Sequence, residues 1–290
     1  MNTTLATNGI ADLSHLSTLC IRGDNTKKFL QGQFTCDVNR LNSTQSIIGS
    51  YCNIKGRVLS VMHLVEIDDA VLLLMPKDLI PSIAKTLQKY GQFSRVTLDT
   101  TQSYTHTYGL IGSAADAFAD TQNIELPTAI GAVRSSPNYL IIRYPGSLPR
   151  WLCLTNTKLD CVNTADWHAQ DIMIGLPQLN PATTEQFTVH MLNLKAFQAV
   201  SFTKGCFLGQ EIIARTEHLG KAKRGLYWCD VVQQVPITAG TLIYANGNEV
   251  GMVINSTSTH VLAVLNHDID FANPLTIGEI LTHKWTPVAS

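Results

Sequence analysis

The segment FTKGCFLGQEIIAR, residues 202–215, sets a lysine, two glycines, a thiol, a carboxamide and a carboxylate between Lys204 and Glu211. Gly205 and Gly209 free the backbone to turn its N–H groups toward a guest. The apolar Ile212-Ile213-Ala214 behind them reads as a helix, whose unbonded first-turn N–H groups then face the loop carrying Cys206. A helix N-terminus favours a nearby anion by about 0.3–1 kcal/mol, and the Lys204 ammonium acts in the same direction. Both favour a thiolate, the form a nucleophile, a redox sensor or a metal–sulfur ligand needs. The residues alone choose none of the three. Packing is the competing reading, because a lone cysteine is among the most frequently buried side chains. No His or Asp is close enough in sequence to be named as a base, and Glu211 reads as a cap of its own helix.

The elements that must position this stretch read as a mixture. STLCIRG (17–23) is β-like, and the following NTKKFLQGQFTCDVNRL spaces Phe29, Leu30, Phe34, Val38 and Leu41 at helical intervals. Gly32 inside that pattern marks a break or a close backbone approach. Strands SIIGSYCN, RVLSVMHLVEI and AVLLLMP follow, parted by turns at Ile54-Lys55-Gly56 and Asp68-Asp69. A helix over KDLIPSIAKTLQKYG carries Pro81 in its first turn and Gly91 at its end. Strands are expected near 93–98, 105–111, 138–144 and 150–155, with a short helix near 114–121. TADWHAQDIMIGLP (164–177) reads as a helix closed by Gly175 and Pro177, whereas 178–201 shows no clear period. Past Gly220 only short strands remain, with a type I′ turn at Asn246-Gly247. The pattern predicts an α+β chain, residues 1–220, followed by an antiparallel β-barrel over 221–290 that closes to protect its edges.

Composition narrows the classes of function. Hydrophobic residues make up 45% and charged residues 15% of the 290, as in a globular chain. A net charge of −1 supplies no overall field for a polyanion, so strong direct nucleic-acid binding is not expected. The densest basic cluster, Arg215, Lys221, Lys223 and Arg224, reads as a solvated face. Seven cysteines, at 20, 36, 52, 153, 161, 206 and 229, show neither C-x-x-C spacing nor zinc-finger spacing. Reduced thiols in a cytoplasmic protein, without a metal site, are the expectation. The N-terminus lacks the features of a secretory signal, and no apolar run approaches the ~20 residues of a membrane helix.

KGCFLGQE (204–211) resembles the K-G-C-[YF]-x-G-Q-E signature of the YgfZ-type folate-binding proteins, relatives of the glycine cleavage system aminomethyltransferase. IRGDNTKKFLQGQFTCDV (21–38) is similar to that family's N-terminal segment, and CNIKGRVLS (52–60) to its K-G-[RK] hairpin. DWHAQDIMIGLP (166–177) and FTVHMLNL (187–194) stand at the expected distances before the signature. The resemblance implies two interlocked α/β subdomains, ferredoxin-like, around a folate-sized cavity. It implies tetrahydrofolate as the bound cofactor, and a role in supporting iron–sulfur enzymes and, through them, tRNA thiolation.

Residue by residue, the resemblance makes Cys206 the functional thiol with Lys204 beside it, within the motif Lys204, Gly205, Cys206, Gly209, Gln210 and Glu211. Trp167 becomes the ring-stacking candidate, Tyr51 a second, and Gln210 an acceptor for the ligand. Lys55 and Arg57 could meet the folate glutamate tail through charge-assisted hydrogen bonds. His168 reads as a helix-surface residue. Two positions depart from the aminomethyltransferases: Ser60-Val61 replaces their catalytic Asp pair, and Met173 stands where they hold the pterin's amino edge with a Glu. The first disfavours one-carbon transfer by a carboxylate; the second weakens folate binding. Three functions follow: a folate-binding accessory protein, a folate-dependent aminomethyl or methyl transferase, and a non-catalytic module whose barrel docks a protein.

Overall fold

The computed structural model describes residues 7–101, 104–161, 165–220, 222–231 and 236–289. Lys221, a member of the basic cluster and the predicted start of the barrel, lies outside the described residues. The chain divides into two compact units, one of residues 1–32, 36–49 and 62–167, the other of residues 33–35, 50–61 and 168–290. The change to strands after 221 therefore falls inside the second unit.

Among the described residues ten strands precede residue 160: β1 (Gly9–Asp12), β2 (Leu16–Arg22), β3 (Ile47–Cys52), β4 (Val58–Ile67), β5 (Ala70–Pro76), β6 (Thr97–Asp99), β7 (His106–Ile111), β8 (Val133–Ser136), β9 (Tyr139–Tyr144) and β10 (Arg150–Thr155). They form two five-stranded sheets, ordered β1-β7-β10-β9-β8 and β3-β4-β5-β2-β6. Interspersed are α1 (Thr26–Gln33), α2 (Ile80–Ser94) and α3 (Ser113–Gln122). In the first unit β5 is buried along its whole length, as its unbroken apolar run demands, and pairs antiparallel with β2, Leu19 opposite Leu73. Residues Ala115 and Phe118 of α3 pack with Leu110 of β7 and Trp151 of β10.

Three local expectations change, the first being the strand expected near 93–98, which shortens to β6 because α2 occupies the residues up to Ser94. α2 runs through Gly91 and ends at Ser94, with Arg95 as the left-handed cap at φ 55°. Gly91 instead admits Val96: a Cβ there would stand 3.0 Å from its methyl carbon. α1 stops one residue after Gly32, where a Cβ would meet nothing within 4 Å. Gly32 thus marks a break and no close approach.

In the second unit, α4 (Ala165–Ile174) continues from Trp167 of the first. It closes on Gly175 at φ 70°, with Leu176 N–H donating to the Asp171 carbonyl at 2.8 Å. Segment 178–201 is built of turns and one 3₁₀ turn, Leu194–Phe197, which explains its missing period. α5 (Gln210–Leu219) follows.

The C-terminal strands are β11 (Arg224–Asp230), β12 (Leu242–Ala245), β13 (Asn248–Ser256), β14 (His260–Asn266), β15 (Leu275–Ile277), β16 (Ile280–Thr282) and β17 (Thr286–Pro287). Asn246 and Gly247 both take positive φ, as a type I′ turn requires. The sheet order β16-β15-β12-β13-β14-β11-β17 leaves both ends open. The sheet curls into a half-barrel, so the closed barrel is corrected. Its edges are protected by strands of three and two residues. A bulge between Val253 and Asn255 re-aims Asn255, whose amide exchanges hydrogen bonds with the Gln178 backbone at 2.9 and 2.8 Å.

Candidate functional site

The glycine-cysteine loop is held by the second unit's own backbone. Thr35, fully buried, donates its hydroxyl to the Ala199 carbonyl, while its carbonyl accepts from Ser201 N–H at 2.8 Å. Its N–H donates to the Ser50 carbonyl at 3.0 Å. The loop start is thereby pinned to the QFT segment and to β3. Lys204 N–H then donates to the Ser201 hydroxyl at 3.2 Å.

Gly209 is where the loop becomes a helix. Its φ of 81° lies in the left-handed region, and a Cβ there would stand 2.6 Å from the Asn53 carbonyl oxygen. Only glycine permits that approach. Across from it, Gly56, at φ 69°, leaves room for Ile212 and Ile213, each 3.3 Å from where its Cβ would be. The turn presenting Gly56 is made by Asn53, whose side-chain oxygen accepts from Lys55 and Arg57 N–H at 2.9 and 3.0 Å. The two motif glycines, 153 residues apart in sequence, are what seat α5 on the hairpin turn. Gly205 is different: a Cβ there would meet nothing within 4 Å.

Cys206 is exposed and its sulfur is free. Cys20, Cys36, Cys52, Cys153 and Cys229 are buried, and burial pushes the Cys52, Cys153 and Cys229 thiols up to about 12. The thiol of the motif is therefore open to reagents in a way that those five are not. No side chain caps α5; exposed Glu211 sits in its first turn, where a carboxylate is favourable to the helix dipole. Gln210, half-buried, begins the helix with its N–H on the Phe207 carbonyl at 3.1 Å.

Lys204 points to its own scaffold. Its ammonium donates to the Phe34 carbonyl at 2.8 Å and lies 5.0 Å over the Phe207 ring. Phe34 in turn meets Tyr51 edge-on at 5.6 Å, both rings fully buried. Tyr51 is a core residue here, correcting its place as a stacking surface. The Arg57 guanidinium donates to the Gln186 carbonyl at 2.7 Å, and exposed Lys55 stands at the turn.

Trp167 belongs to the first unit and is 0% exposed. Arg150, also fully buried, holds its guanidinium 4.6 Å over the indole and 4.8 Å over Tyr144, and donates to the Trp167 carbonyl at 2.9 Å. The Gly109 backbone closes on the six-membered part of the indole, leaving no room for a Cβ. An open stacking face is thus corrected to a packed ring: a ligand ring would have to displace Arg150 or Gly109. The His63 ring lies 4.8 Å from that of Tyr144, tilted by 31°, and burial, helped by the Arg150 charge, lowers its pKa to about 4. His168, half-buried on α4, stands 4.0 Å from the Asp171 carboxylate.

Four groups escaped sequence reasoning. Arg150 and His63 lie on strands whose period shows only burial. His190 has Nε2 3.3 Å from the Glu217 carboxylate, which also binds Lys195. Burial lowers the His190 pKa against the pull of Glu217, and the Lys195 hydrogen bond holds Glu217 below the usual carboxylate range. The fourth is Gln170, on α4 and 0% exposed; neither atom of its carboxamide has a partner among the described residues. The signal for it was a lone amide on an otherwise apolar helix face. Two clefts of about 440 and 170 Å³ open in the first unit, and no predicted site residue lines either. Among the described residues no three His, Cys, Asp or Glu gather as metal ligands, and no helix is long and apolar enough to cross a membrane.

No family model matches the chain. It is 31% identical to the tRNA-modifying protein YgfZ of Colwellia psychrerythraea, over 81% of this chain and 75% of that protein. The same name is carried by a Hamiltonella defensa protein at 31% identity, covering 86% and 80%, and by a Yersinia pestis protein at 28%, covering 90% and 85%. In fold it is similar to the crystal structure of the glycine cleavage system aminomethyltransferase T of Bartonella henselae, with a TM-score of 0.76 at 16% identity. That match covers 97% of this chain and 86% of the other. The fold is thus aminomethyltransferase-like. With relatives this similar along most of their length, and with the glycine-cysteine loop built as described, the chain belongs to the YgfZ family of tRNA-modifying proteins.

Proposed function

We propose that this chain is a folate-binding accessory protein that supports iron–sulfur enzymes, including those that thiolate tRNA, with Cys206 as its working thiol. The observation that carries this reading is the exposure of Cys206, a free cysteine on a loop that two close-packed glycines and Thr35 hold in place. A rigid mount for a reachable thiol is costly to build and unneeded for packing. The tRNA-modifying names of the relatives support the pathway, and the aminomethyltransferase-like fold supports the folate. The proposal keeps, from the resemblance, two ferredoxin-like subdomains and a folate-sized cavity. Work in the cytoplasm and iron–sulfur clients belong to it as well.

The residues present fit a folate in part. Tyr51 and Trp167 are packed, and Met173 accepts hydrogen bonds only weakly. The Gln170 carboxamide, however, is a buried polar group lacking partners among the described residues, the condition a polar heterocycle would relieve. Arg57 and Lys55 would meet the glutamate tail, and Gln210 would offer a further acceptor. Bound reduced folate would supply a one-carbon carrier. Transfer by a carboxylate is disfavoured, because Ser60 is fully buried with its hydroxyl on the Val61 carbonyl.

Thiolated nucleosides in tRNA, measured by mass spectrometry in cells carrying only Cys206→Ala, test the reading. A clear loss is expected; levels equal to wild type remove Cys206 from the mechanism.

A further inference from the structure

Gln170 carries a cost that its position does not explain. Its side chain is fully buried on α4, and both Nε2 and Oε1 lack hydrogen-bond partners among the described residues. Burying an unpaired amide is unfavourable at each end, and a leucine would fill similar space without that penalty. Residues three apart on a helix share a face. Three residues further on that face, half-buried Met173 offers only a thioether.

We infer that the Gln170 carboxamide is the specificity-determining group for the flat ring of the bound ligand, and that it reads a lactam edge, an N–H beside a C=O. A carboxylate has two acceptors and complements two donors, such as a pterin's 2-amino group and N3–H. A carboxamide has one acceptor and one donor in a plane. It complements N3–H, which donates to Oε1, together with the C4 carbonyl, which accepts from Nε2. With a methionine at 173, where the aminomethyltransferases carry a Glu, the amide at 170 would read the lactam edge in place of the amino edge. This inference rests on the folate reading above and specifies how that ligand is held.

The full-length chain is titrated with tetrahydrofolate under anaerobic conditions, wild type against Gln170→Leu, with thermal melts of both unliganded proteins. The leucine variant should bind roughly ten- to a hundredfold more weakly, as expected for two lost hydrogen bonds, while its Tm is unchanged or higher. Equal affinity in the two proteins overturns the assignment, and so does a lower Tm with unchanged affinity, the sign of an amide satisfied by buried water. A competition on the wild-type chain needs no variant: 6-methylpterin against 6-methyl-lumazine, whose 2-oxo group replaces the 2-amino group. Lactam reading predicts affinities within about threefold of each other; a lumazine weaker by tenfold or more shows that the amino edge is read and overturns it. Wild type failing to bind any of these probes removes the folate reading itself, together with this one.

Discussion

The glycine-cysteine loop and the Trp167 end of α4 handle their polar groups in opposite ways. In the loop the backbone is anchored at both ends, Ser201 bonded to Thr35 and Gly209 close against the Asn53 carbonyl, and Cys206 between them is exposed. At Trp167 the rings are committed, packed under Arg150 and against Gly109, and the polar atoms are left over inside. A thiol that must meet another molecule needs a rigid backbone and an open side chain. A group that must recognise a ligand can be wholly enclosed, provided the ligand completes its hydrogen bonds. The same chain thus marks chemistry once by exposure and once by unmet burial.

The contrast can be broken most severely at Arg150. Arg150→Met removes the buried donors on the Pro145 and Trp167 carbonyls and the cation between two rings. It should lower the unfolding free energy by about 3–4 kcal/mol in urea titration; a loss under about 1 kcal/mol would show that the cluster does not organise the first unit. His63 comes next. Its folded pKa of about 4 lies below the ordinary 6.5, so the unfolded chain takes up a proton that the folded one refuses. Its contribution is therefore intact above pH 6.5 and is lost as pH falls toward 4, amounting to about 3 kcal/mol. In His63→Phe the stability difference between pH 7 and pH 4.5 should shrink by roughly 2 kcal/mol, and an unchanged difference refutes the assignment.

Within the loop the two glycines separate. Gly209→Ala forces a Cβ against the Asn53 carbonyl at positive φ and should cost about 2 kcal/mol. Gly205→Ala meets open space and should stay within about 0.5 kcal/mol; equal effects would mean the loop is not seated through Gly209. The smallest effect on stability belongs to Cys206→Ala, also within about 0.5 kcal/mol. Correspondingly, iodoacetamide on the native protein should label Cys206 and the exposed Cys161 and spare the five buried thiols, as read by peptide mass spectrometry. Protection of Cys206 would end its comparison with α4.

Much of the fold was legible. The unbroken apolar run of β5, the turns at Ile54-Lys55-Gly56 and Asn246-Gly247, and the Gly175 stop of α4 are local signals, and local geometry obeyed them. Gly91 misled because a helical glycine can serve a neighbour's approach as well as an end. The half-barrel was misread because strand period does not say whether the outermost strands meet. At the site, the thiol and its glycines were legible from residue types in a short window. Tyr51 and Trp167 were misplaced because an aromatic side chain looks the same in sequence whether it packs or receives a ligand.

What the sequence determined by itself was therefore the set of short-range features: a flexible-to-helical junction at Gly209, a cysteine just before it, and strands punctuated by turn residues. These depend on φ preferences and spacing within a few residues. Only the tertiary structure decided that Lys204 braces the Phe34 carbonyl, that Gly56 receives α5, and that Gln170 is sealed with both amide atoms unmet. Hydrogen bonding and burial are properties of neighbours brought from more than a hundred residues away, and no window of sequence contains them.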